Sequence, residues 1–322
     1  MKAIKIYQTG GPEVMLWENV TLAPLQPHEV RLKHHAVGVN YIDVYFRNGT
    51  YPAPLPFIPG NEAAGEIIET GSAVTEFKVG DRVAYVAPLG SYSEFRNIDP
   101  KLLIKLPDAL SYDTGAAMML KGMTAYYLLH ITYKVKAGDI ILVHAAAGGV
   151  GLLLCQWGKA LGAHVIGTVG SKDKVRLAKD AGADDVILYN EEDWVARVAE
   201  ITKGKKCDVV YDGIGKNTFP ASLDCIRPLG LFASYGSASG PIEAFNPGIL
   251  AQKGSLFMTR PTLNTYTAER KDLVHIAGEL TKAIANGTIT IDIHARYPLK
   301  EAVSAHRALE ARATTGVTLL MP

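Results

Sequence analysis

The segment at residues 138–159, which reads GDIILVHAAAGGVGLLLCQWGK, constrains the fold of this chain more than any other. Ile140–Val143 are β-branched or aliphatic, which is typical of a parallel strand covered on both faces. Residues 145–151 are small except for one valine, and residues 152–161 continue as a helix. A strand that runs into a glycine turn and then a helix predicts a site for the pyrophosphate of a dinucleotide.

The glycines of this turn have separate expected roles. Gly148 permits the tight turn, Gly149 lets the backbone approach the phosphates, and Gly151 lets the helix pack on the strand. With Val150 they form the predicted phosphate-binding residues. A glycine triplet alone is weak evidence, since such turns also occur in α/β proteins that bind no ligand. A second predicted strand at 163–169, at the spacing of a βαβ unit, strengthens the prediction.

The end of that second strand indicates the coenzyme. An NAD site usually places Asp or Glu there, which binds the ribose and repels a 2′-phosphate. This chain instead has Gly170 and Ser171, and Lys174 follows one helical turn on as a cation for a phosphate. The alternative is that Lys172 and Lys174 are solvated residues of a surface helix. The missing carboxylate favours NADPH over NADH, and we expect Asp173 to be a helix N-terminal charge rather than a ribose ligand.

Two patterns divide the chain. The first third is β-rich, with strand-like segments at 2–7, Val30–Val39, 63–70 and Arg82–Val86. From about Thr124, strands alternate with helices, which predicts a doubly wound parallel sheet. Its predicted strands are Ile140–Val143, 165–169, Asp185–Leu188, 209–212 and 230–235.

The tail of the chain after Pro261 lacks a core large enough for a third domain. It is predicted to contain a helix at 268–286, an extended segment at 288–294, a helix near 299–312 and a strand at Val317–Met321. We therefore expect this tail to rejoin the β-rich part.

Three loops after the later strands are further candidates for cofactor binding, because ligands of such sheets bind at the carboxyl ends of the strands. Tyr189 follows the third strand and is positioned to stack on the adenine end. Gly213 and Ile214 follow the fourth strand, and Tyr235 and Gly236 follow the fifth.

Size and composition exclude several classes of protein. A chain of 322 residues exceeds a comfortable single core, so two domains are expected. A formal net charge of +1 gives no general attraction to nucleic acid or to an anionic membrane. No apolar run approaches the ~20 residues of a membrane span, and the first residues do not begin a signal peptide. Three scattered cysteines indicate a reducing compartment, so cytoplasmic residence is expected.

The chain resembles the medium-chain dehydrogenase/reductase superfamily and, within it, the zinc-free quinone oxidoreductases related to zeta-crystallin. The likeness spans almost the whole chain. Besides the glycine turn, the matching segments are Asn40-Tyr41-Ile42-Asp43, Arg47-Asn48-Gly49-Thr50-Tyr51-Pro52, Pro59-Gly60-Asn61-Glu62, Val79-Gly80-Asp81-Arg82-Val83 and Gly122-Met123-Thr124-Ala125-Tyr126.

This resemblance implies an α/β fold of two domains and, usually, a homodimer. A β-rich, GroES-like catalytic domain shaped as a partly open barrel is expected at 1–122 and 264–322. A Rossmann domain that binds NADPH is expected at 123–263.

The resemblance also predicts a site without metal. Zinc alcohol dehydrogenases of the superfamily have a Cys ligand where this chain has Asn40, and a His ligand where it has Asn61. A neutral amide is a poor zinc ligand compared with thiolate or imidazole. Glu62 remains beside them, and a buried structural role paired with a basic group is as reasonable for it as a direct one.

Four residues are expected near the reacting groups because of the resemblance. Asn40, Tyr45 and Thr124 are placed near the nicotinamide, and Tyr51 lines the acceptor pocket with Tyr45. Either tyrosine is suited to stack on a flat acceptor and to donate a phenolic proton. The alternative for each is a partly buried aromatic residue with a hydrated hydroxyl.

Three functions are compatible with these features. The leading one is an NADPH-dependent quinone reductase, since a quinone carbonyl is already electrophilic and needs no metal to accept a hydride. The nearest alternative is a zinc-free reductase of the carbon–carbon double bond of enones or 2-alkenals. A crystallin-like or RNA-binding protein is a third hypothesis, and the near-neutral charge counts against RNA.

Overall fold

The computed structural model describes residues 1–311 and 314–322. It contains two compact units. The first unit consists of Met1–Leu120 and Ile291–Pro322, and the second consists of Lys121–Thr290.

The described residues form strands in both units. In chain order they are β1 (Lys2–Ile6), β2 (Met15–Asn19), β3 (Val30–Val39), β4 (Glu62–Thr70), β5 (Arg82–Val86), β6 (Phe95–Ile98), β7 (Leu103–Lys105), β8 (Ile140–Val143), β9 (His164–Val169), β10 (Asp185–Leu188), β11 (Cys207–Asp212), β12 (Ile226–Ser234), β13 (Phe257–Thr259), β14 (Ile293–Pro298) and β15 (Val317–Met321).

The helices of the same residues range from one turn to about four turns. In chain order they are α1 (Tyr41–Arg47), α2 (Tyr112–Tyr127), α3 (Gly149–Ala160), α4 (Lys172–Asp180), α5 (Trp194–Ile201), α6 (Gly248–Gln252), α7 (Leu263–Tyr266), α8 (Arg270–Ala285) and α9 (Ala302–Glu310). A π-helical turn at Leu128–Thr132 extends α2. Among these residues, no helix combines the length and the apolar character needed to cross a bilayer.

The second unit is built on a parallel sheet with the strand order β10-β9-β8-β11-β12-β13. The chain fills one half of the sheet outward from β8 and then crosses over to β11, so the strand order reverses between β8 and β11. This is the topological switch point at which doubly wound folds bind ligands. Leu142, Ile166, Ile187, Val210 and Phe232 are buried in its core. The predicted doubly wound sheet is confirmed.

The first unit contains a mixed sheet centred on β3. Its strand order is β14-β15-β3-β4-β5-β7, and β6 also pairs with β3. The ten residues of β3 accommodate three neighbours, because β6 pairs with its first part and β15 with its last part. Strands β1 and β2 form a separate antiparallel pair. The predicted combination of a Rossmann-like domain and a GroES-like domain is confirmed.

The boundary of the second unit differs from the prediction at its C-terminal end. Residues 264–290, which were expected to join the β-rich part, belong to the second unit. The reason is the packing of α8, whose buried face includes Ile276 and Leu280. Leu280 lies so close to Gly122 that a Cβ at this glycine would be 2.5 Å from its Cδ1.

The extended segment predicted at 288–294 is displaced toward the C-terminus, where β14 occupies Ile293–Pro298. The backbone N–H and carbonyl of Thr290 form hydrogen bonds with the Gln156 side chain instead of with a neighbouring strand. Gln156 Oε1 accepts from the Thr290 amide at 2.7 Å, and its Nε2 donates to the Thr290 carbonyl at 3.2 Å. The predicted helix near 299–312 is observed as a 3₁₀ turn followed by α9, and its expected last residue, Arg312, lies outside the described residues.

Candidate functional site

The glycine turn after β8 is closed by a backbone hydrogen bond and leaves no room for a side chain at Gly151. Ala145 adopts a positive φ of 53°, and the Gly148 amide donates to its carbonyl oxygen at 2.8 Å. A Cβ on Gly151 would lie 2.2 Å from the same oxygen, which is closer than any real Cβ contact. Gly151 is therefore required for α3 to pack against the turn, as predicted.

Helix α3 begins at Gly149, three residues before the predicted start at 152. Gly148 is its N-cap, with extended backbone angles, so Gly149, Val150 and Gly151 form the first helical turn. The first amides of a helix have no intrahelical acceptor, and they carry the positive end of the helix dipole. No acidic residue occupies this turn. The turn therefore offers backbone donors to an anion at the switch point of the sheet.

The end of β9 carries a small residue against an aromatic one. A Cβ on Gly170 would lie 2.7 Å from the hydroxyl oxygen of Tyr189. The Tyr189 amide donates to the Val169 carbonyl at 3.2 Å, which holds this tyrosine beside the strand end. Asn190, which the sequence reasoning missed, donates to the Gly170 carbonyl at 2.8 Å. The structure thus brings together Gly170 and Tyr189, which were predicted separately as cofactor-binding residues.

The residues after Gly170 begin α4. Ser171 is its N-cap, and Lys174 lies in the first turn with its amide 3.1 Å from the Ser171 carbonyl. Asp173 is a first-turn acid, as predicted, and a hydrogen bond from the Ser171 hydroxyl lowers the pKa of its exposed carboxyl. Lys172 forms a surface ion pair with Glu191 at 3.4 Å. Both lysines therefore lie in the first turn of α4, and Lys172 points toward the Glu191 carboxylate.

The loops after β11 and β12 pack on each other. A Cβ on Gly213 would lie 3.0 Å from the ring of Tyr235, and one on Gly236 would lie 2.6 Å from the Gly213 carbonyl oxygen. The structure therefore brings Gly213, Ile214, Tyr235 and Gly236 together, as the sheet geometry predicted.

Asp212, the last residue of β11, was not among the predicted site residues. It is fully buried, and its Oδ1 accepts from the amides of Ile214 at 2.6 Å and Gly215 at 3.1 Å. Its Oδ2 accepts from the Thr218 hydroxyl at 2.6 Å. The carboxylate thus shapes the Gly213 loop. An acidic residue directly between a buried apolar strand and a Gly-x-Gly turn was the signal that could have identified it.

Thr124 is buried within α2 of the second unit. Its hydroxyl hydrogen-bonds with Tyr127, whose ring stacks on Tyr266 with centroids 4.3 Å apart. Burial raises the pKa of Tyr127 far above the usual range, so this phenol stays protonated. Thr124 is therefore held in a defined orientation by an aromatic neighbour.

The predicted acceptor tyrosines of the first unit lie together. The rings of Tyr45 and Tyr51 have centroids 5.1 Å apart at an interplanar angle of 61°, and the Tyr51 amide donates to the Tyr45 carbonyl at 2.9 Å. Tyr41 and Phe46 join them, with centroids 5.6 Å from Tyr45 and 5.7 Å from Tyr51 respectively. The sequence reasoning missed these two, although Tyr41 and Tyr45 have the i, i+4 spacing of one helix face.

Asn40 stands at the start of α1 and is buried. Its Nδ2 donates to Glu62 Oε2 at 2.8 Å, and Glu62 Oε1 accepts from the Leu120 amide at 2.7 Å. A Cβ on Gly38 would lie 2.4 Å from the same Glu62 carboxylate, so the strand approaches it closely. Glu62 thus orients the Asn40 amide.

These residues do not fit a zinc ion. At the two positions where the superfamily uses thiolate and imidazole, the Asn40 amide donates to Glu62 and the Asn61 amide donates to the Ala87 carbonyl at 3.0 Å. Throughout the part of the chain that the structure describes, no three His, Cys, Asp or Glu side chains are grouped to hold a metal. The donor set is therefore wrong for this metal.

The residues of the second unit do fit a phosphorylated dinucleotide. The α3 N-terminus offers backbone amides at a turn where a side chain on Gly151 has no room. The β9 end replaces the usual ribose-binding carboxylate by Gly170 and Ser171. This arrangement would hold the pyrophosphate at α3 and a 2′-phosphate near Lys174.

Comparison with known proteins gives consistent matches. A model described as alcohol dehydrogenase GroES-like domain matches residues 26–108, and one described as zinc-binding dehydrogenase matches residues 149–274. A quinone oxidoreductase from Pseudomonas aeruginosa is 51% identical, with 100% of this chain and 99% of that protein covered. A 2-haloacrylate reductase from Burkholderia sp is 44% identical, with 99% and 98% covered. The crystal structure of Escherichia coli quinone oxidoreductase complexed with NADPH superposes with a TM-score of 0.98 at 48% identity, and each chain is covered completely.

Proposed function

We propose that this chain, which belongs to the quinone oxidoreductase family of the medium-chain dehydrogenase/reductase superfamily, reduces a quinone by hydride transfer from NADPH. The observation that carries this proposal is its similarity over the full length to quinone oxidoreductases, one of them solved with NADPH. The backbone donors at α3 and the absence of a carboxylate after β9 support the same coenzyme.

The coenzyme-binding residues act mainly through the backbone. When bound, NADPH supplies the hydride. The amides of Gly149, Val150 and Gly151 hold the pyrophosphate, while Gly148 closes the turn. Gly170 leaves room for the ring of Tyr189, and Ser171 and Lys174 bind the 2′-phosphate.

The remaining coenzyme residues orient the two ends of the dinucleotide. Tyr189 stacks at the adenine end. Asp212 keeps the Gly213–Ile214 backbone in a single conformation against Tyr235 and Gly236, because it accepts from two consecutive loop amides. Thr124, fixed by Tyr127, orients the nicotinamide.

The acceptor-binding residues act through aromatic contact and hydrogen bonding. A quinone carbonyl is electrophilic and its product is aromatic, so modest stabilisation of the developing oxyanion is sufficient. Tyr45 and Tyr51 offer ring faces for a flat acceptor, and either phenol is suited to donate a proton to the reduced oxygen. Asn40 contributes a neutral amide, and its Nδ2 is held in place by Glu62 Oε2 at 2.8 Å and the Gly38 carbonyl at 3.4 Å.

We propose that the reaction is zinc-free, although the matching family model is described as zinc-binding. The support is chemical. Amides stand at the ligand positions, and both already donate to protein oxygens. Metal analysis of the purified protein tests this part, and stoichiometric tightly held zinc would contradict it.

We also propose that the protein is a homodimer in the cytoplasm. Strand β13 is the edge of the parallel sheet, and Phe257 on it is 61% exposed. An exposed hydrophobic edge strand is a natural surface for pairing with a second copy. The buried thiols of Cys155, Cys207 and Cys225 are all unpaired, which suits a reducing compartment.

A second acceptor class is favoured by one specific similarity. The 2-haloacrylate reductase that matches this chain is named for a substrate with an activated carbon–carbon double bond. An enone or 2-alkenal would receive the same hydride at carbon instead of oxygen. A phenol of Tyr45 or Tyr51 would serve it in the same way, as a proton donor.

One steady-state experiment separates the two. The purified protein is assayed with NADPH against 1,4-benzoquinone, a bulky naphthoquinone, a 2-alkenal and a 2-haloacrylate, and the values of kcat/KM are compared. We expect the highest value for a quinone. A higher value for the alkenal or haloacrylate would move the function to the double-bond reductases. Calorimetry that detected no NADPH binding would overturn both.

A further inference from the structure

A buried network of hydrogen-bonded side chains connects α9, near the end of the sequence, to the start of α1. Arg47 is 1% exposed, and its guanidinium donates to both carboxylate oxygens of Glu310, at 2.7 and 2.9 Å. Its Nη1 also lies 3.0 Å from Nδ1 of His306. The hydroxyl of Tyr92 lies 3.0 Å from Nε2 of His306 and 3.0 Å from Oδ2 of Asp43. All five residues belong to the first unit.

The donor and the acceptor of every hydrogen bond in this network can be assigned. A guanidinium has donors only, so Nδ1 of His306 must accept from Arg47, and its proton must reside on Nε2. Nε2 therefore donates to the Tyr92 oxygen, and the Tyr92 hydroxyl donates to Asp43. Burial and the nearby Arg47 charge lower the pKa of His306 to about 3, so the ring stays neutral and keeps this tautomer.

This network leads to the residues proposed to bind the acceptor. Asp43 Oδ2 accepts a hydrogen bond from the backbone N–H of Asn40 at 2.9 Å, which fixes the N-terminus of α1. The Asn40 side chain is then aimed at Glu62, and Tyr45 follows on the same short helix. At the other end of α1, Arg47 Nε donates to the Gly10 carbonyl at 3.1 Å.

We propose that His306 is a positioning residue for the acceptor side of the reaction. Acting through Tyr92 and Asp43, it sets the start of α1 and with it the orientation of Asn40 and Tyr45. A seven-residue helix is too short to be stable alone, so its geometry depends on such tertiary contacts. This inference rests on the proposed function, because Asn40 and Tyr45 are proposed there to bind the acceptor.

The first test is Tyr92→Phe, which keeps the ring and removes only the hydroxyl between His306 and Asp43. We expect kcat/KM for the quinone to fall about tenfold, which is the typical effect of losing a hydrogen bond to a buried carboxylate. We expect the dissociation constant of NADPH to stay unchanged, because the residues proposed to hold its pyrophosphate and its 2′-phosphate lie in the second unit. Amide hydrogen exchange of the peptide at 38–48 is expected to rise, while that of 149–160 stays constant.

The second test compares two substitutions of His306. Glutamine has an acceptor oxygen and a donor NH2 group, so His306→Gln can still accept from Arg47 and donate to Tyr92, whereas His306→Leu can do neither. We expect the glutamine variant to retain more than half of the wild-type kcat/KM and the leucine variant to lose about tenfold or more. Arg307→Ala, one residue along α9 and exposed, is the matched control and should behave as wild type.

Several results would overturn the inference. One is wild-type quinone kinetics and wild-type exchange at 38–48 in Tyr92→Phe. Another is an increase of exchange throughout the first unit with equal loss for all acceptors and for NADPH binding, which would show a merely structural role. If His306→Leu fails to fold, Tyr92→Phe still decides. Failure of the wild type with every quinone would refute the proposed function instead, and the exchange data would still judge the positioning of α1.

Discussion

The turn at residues 145–151 and the helix α1 are built in opposite ways. The turn is formed by residues next to one another in the chain, and its decisive contact joins Gly151 to the carbonyl of Ala145. Helix α1 is held by partners far away in sequence, because Arg47 bonds His306 and Glu310 of α9. One region is thus encoded locally, and the other is assembled from distant segments.

The two regions are therefore expected to tolerate different kinds of substitution. A local turn of small residues fails when a side chain is added, since backbone atoms have no space to yield. A long-range network fails when a polar group is removed, since the remaining buried partners lose their hydrogen bonds. The turn is therefore vulnerable to gain of volume, and α1 to loss of polarity.

The largest predicted effect is that of Gly151→Ala. The new Cβ would lie 2.2 Å from a backbone oxygen, so the turn must move away from the anion site. We expect the dissociation constant of NADPH to rise about 100-fold, measured by fluorescence titration. Gly278→Ala is the control, since Gly278 is an exposed residue of α8 with open space around it. An unchanged NADPH affinity in Gly151→Ala would show that the turn does not bind the coenzyme.

A selective effect is expected from Lys174→Ala. We predict that NADPH binding weakens about 30-fold while NADH binding changes little, because the lost cation contacts only the 2′-phosphate. Lys172→Ala removes an equivalent charge that is paired with Glu191, and it should leave both affinities unchanged. Isothermal calorimetry with both coenzymes measures the ratio. Equal losses for NADPH and NADH in Lys174→Ala would refute the assignment.

The aromatic side is tested by replacing Tyr51 in two ways. We expect Tyr51→Ala to raise the KM of the quinone about tenfold through loss of a stacking surface, without effect on NADPH binding. Tyr51→Phe retains the ring and should stay within about threefold of wild type, provided that Tyr45 is the proton donor. If the phenylalanine variant instead loses kcat as strongly as the alanine variant, the Tyr51 hydroxyl is the required group.

The smallest predicted effect concerns pH. Burial lowers the pKa of His34 to about 4 and that of His306 to about 3, while both titrate near 6.5 in the unfolded chain. Between these values the unfolded state binds more protons, so stability is complete above pH 6.5 and falls as the pH drops toward 4.

His306→Gln removes one of these groups, so its unfolding free energy should fall less steeply with acidification. We expect a difference of about 1 kcal/mol in that fall between pH 6 and pH 5, from urea denaturation at each pH. Parallel curves for the variant and the wild type would contradict the buried neutral state of His306.

The coenzyme half of the site was largely predictable, because its signals are local. The Gly turn, the carboxylate-free end of β9 and the loops at Tyr189, Gly213 and Tyr235 all follow from one strand–loop–helix pattern, while the contacts of Gly170 with Tyr189 and of Gly213 with Tyr235 required coordinates. Asp212 was missed because a carboxylate at the end of a strand gives no periodic signal.

The acceptor half was predictable only in part. Tyr45 and Tyr51 are proposed as acceptor residues through a resemblance, while their contacts with Tyr41 and Phe46 required coordinates. The boundary at 264 was wrong because hydrophobic periodicity identifies α8 as a helix without indicating which unit its apolar face covers. The extended segment at 288–294 was displaced because Gln156, far away in sequence, captures the Thr290 backbone.

The doubly wound sheet, the tight glycine turn and the preference for NADPH could be inferred from the amino-acid sequence alone. These depend on strand and helix periodicity and on steric limits within a few residues. The contacts that hold α1 could be read only from the tertiary structure. Arg47, Tyr92 and His306 are polar residues that belong to no motif, and they contact one another because folding buries them together. Hydrogen bonds between distant buried groups depend on three-dimensional proximity, which sequence spacing does not record.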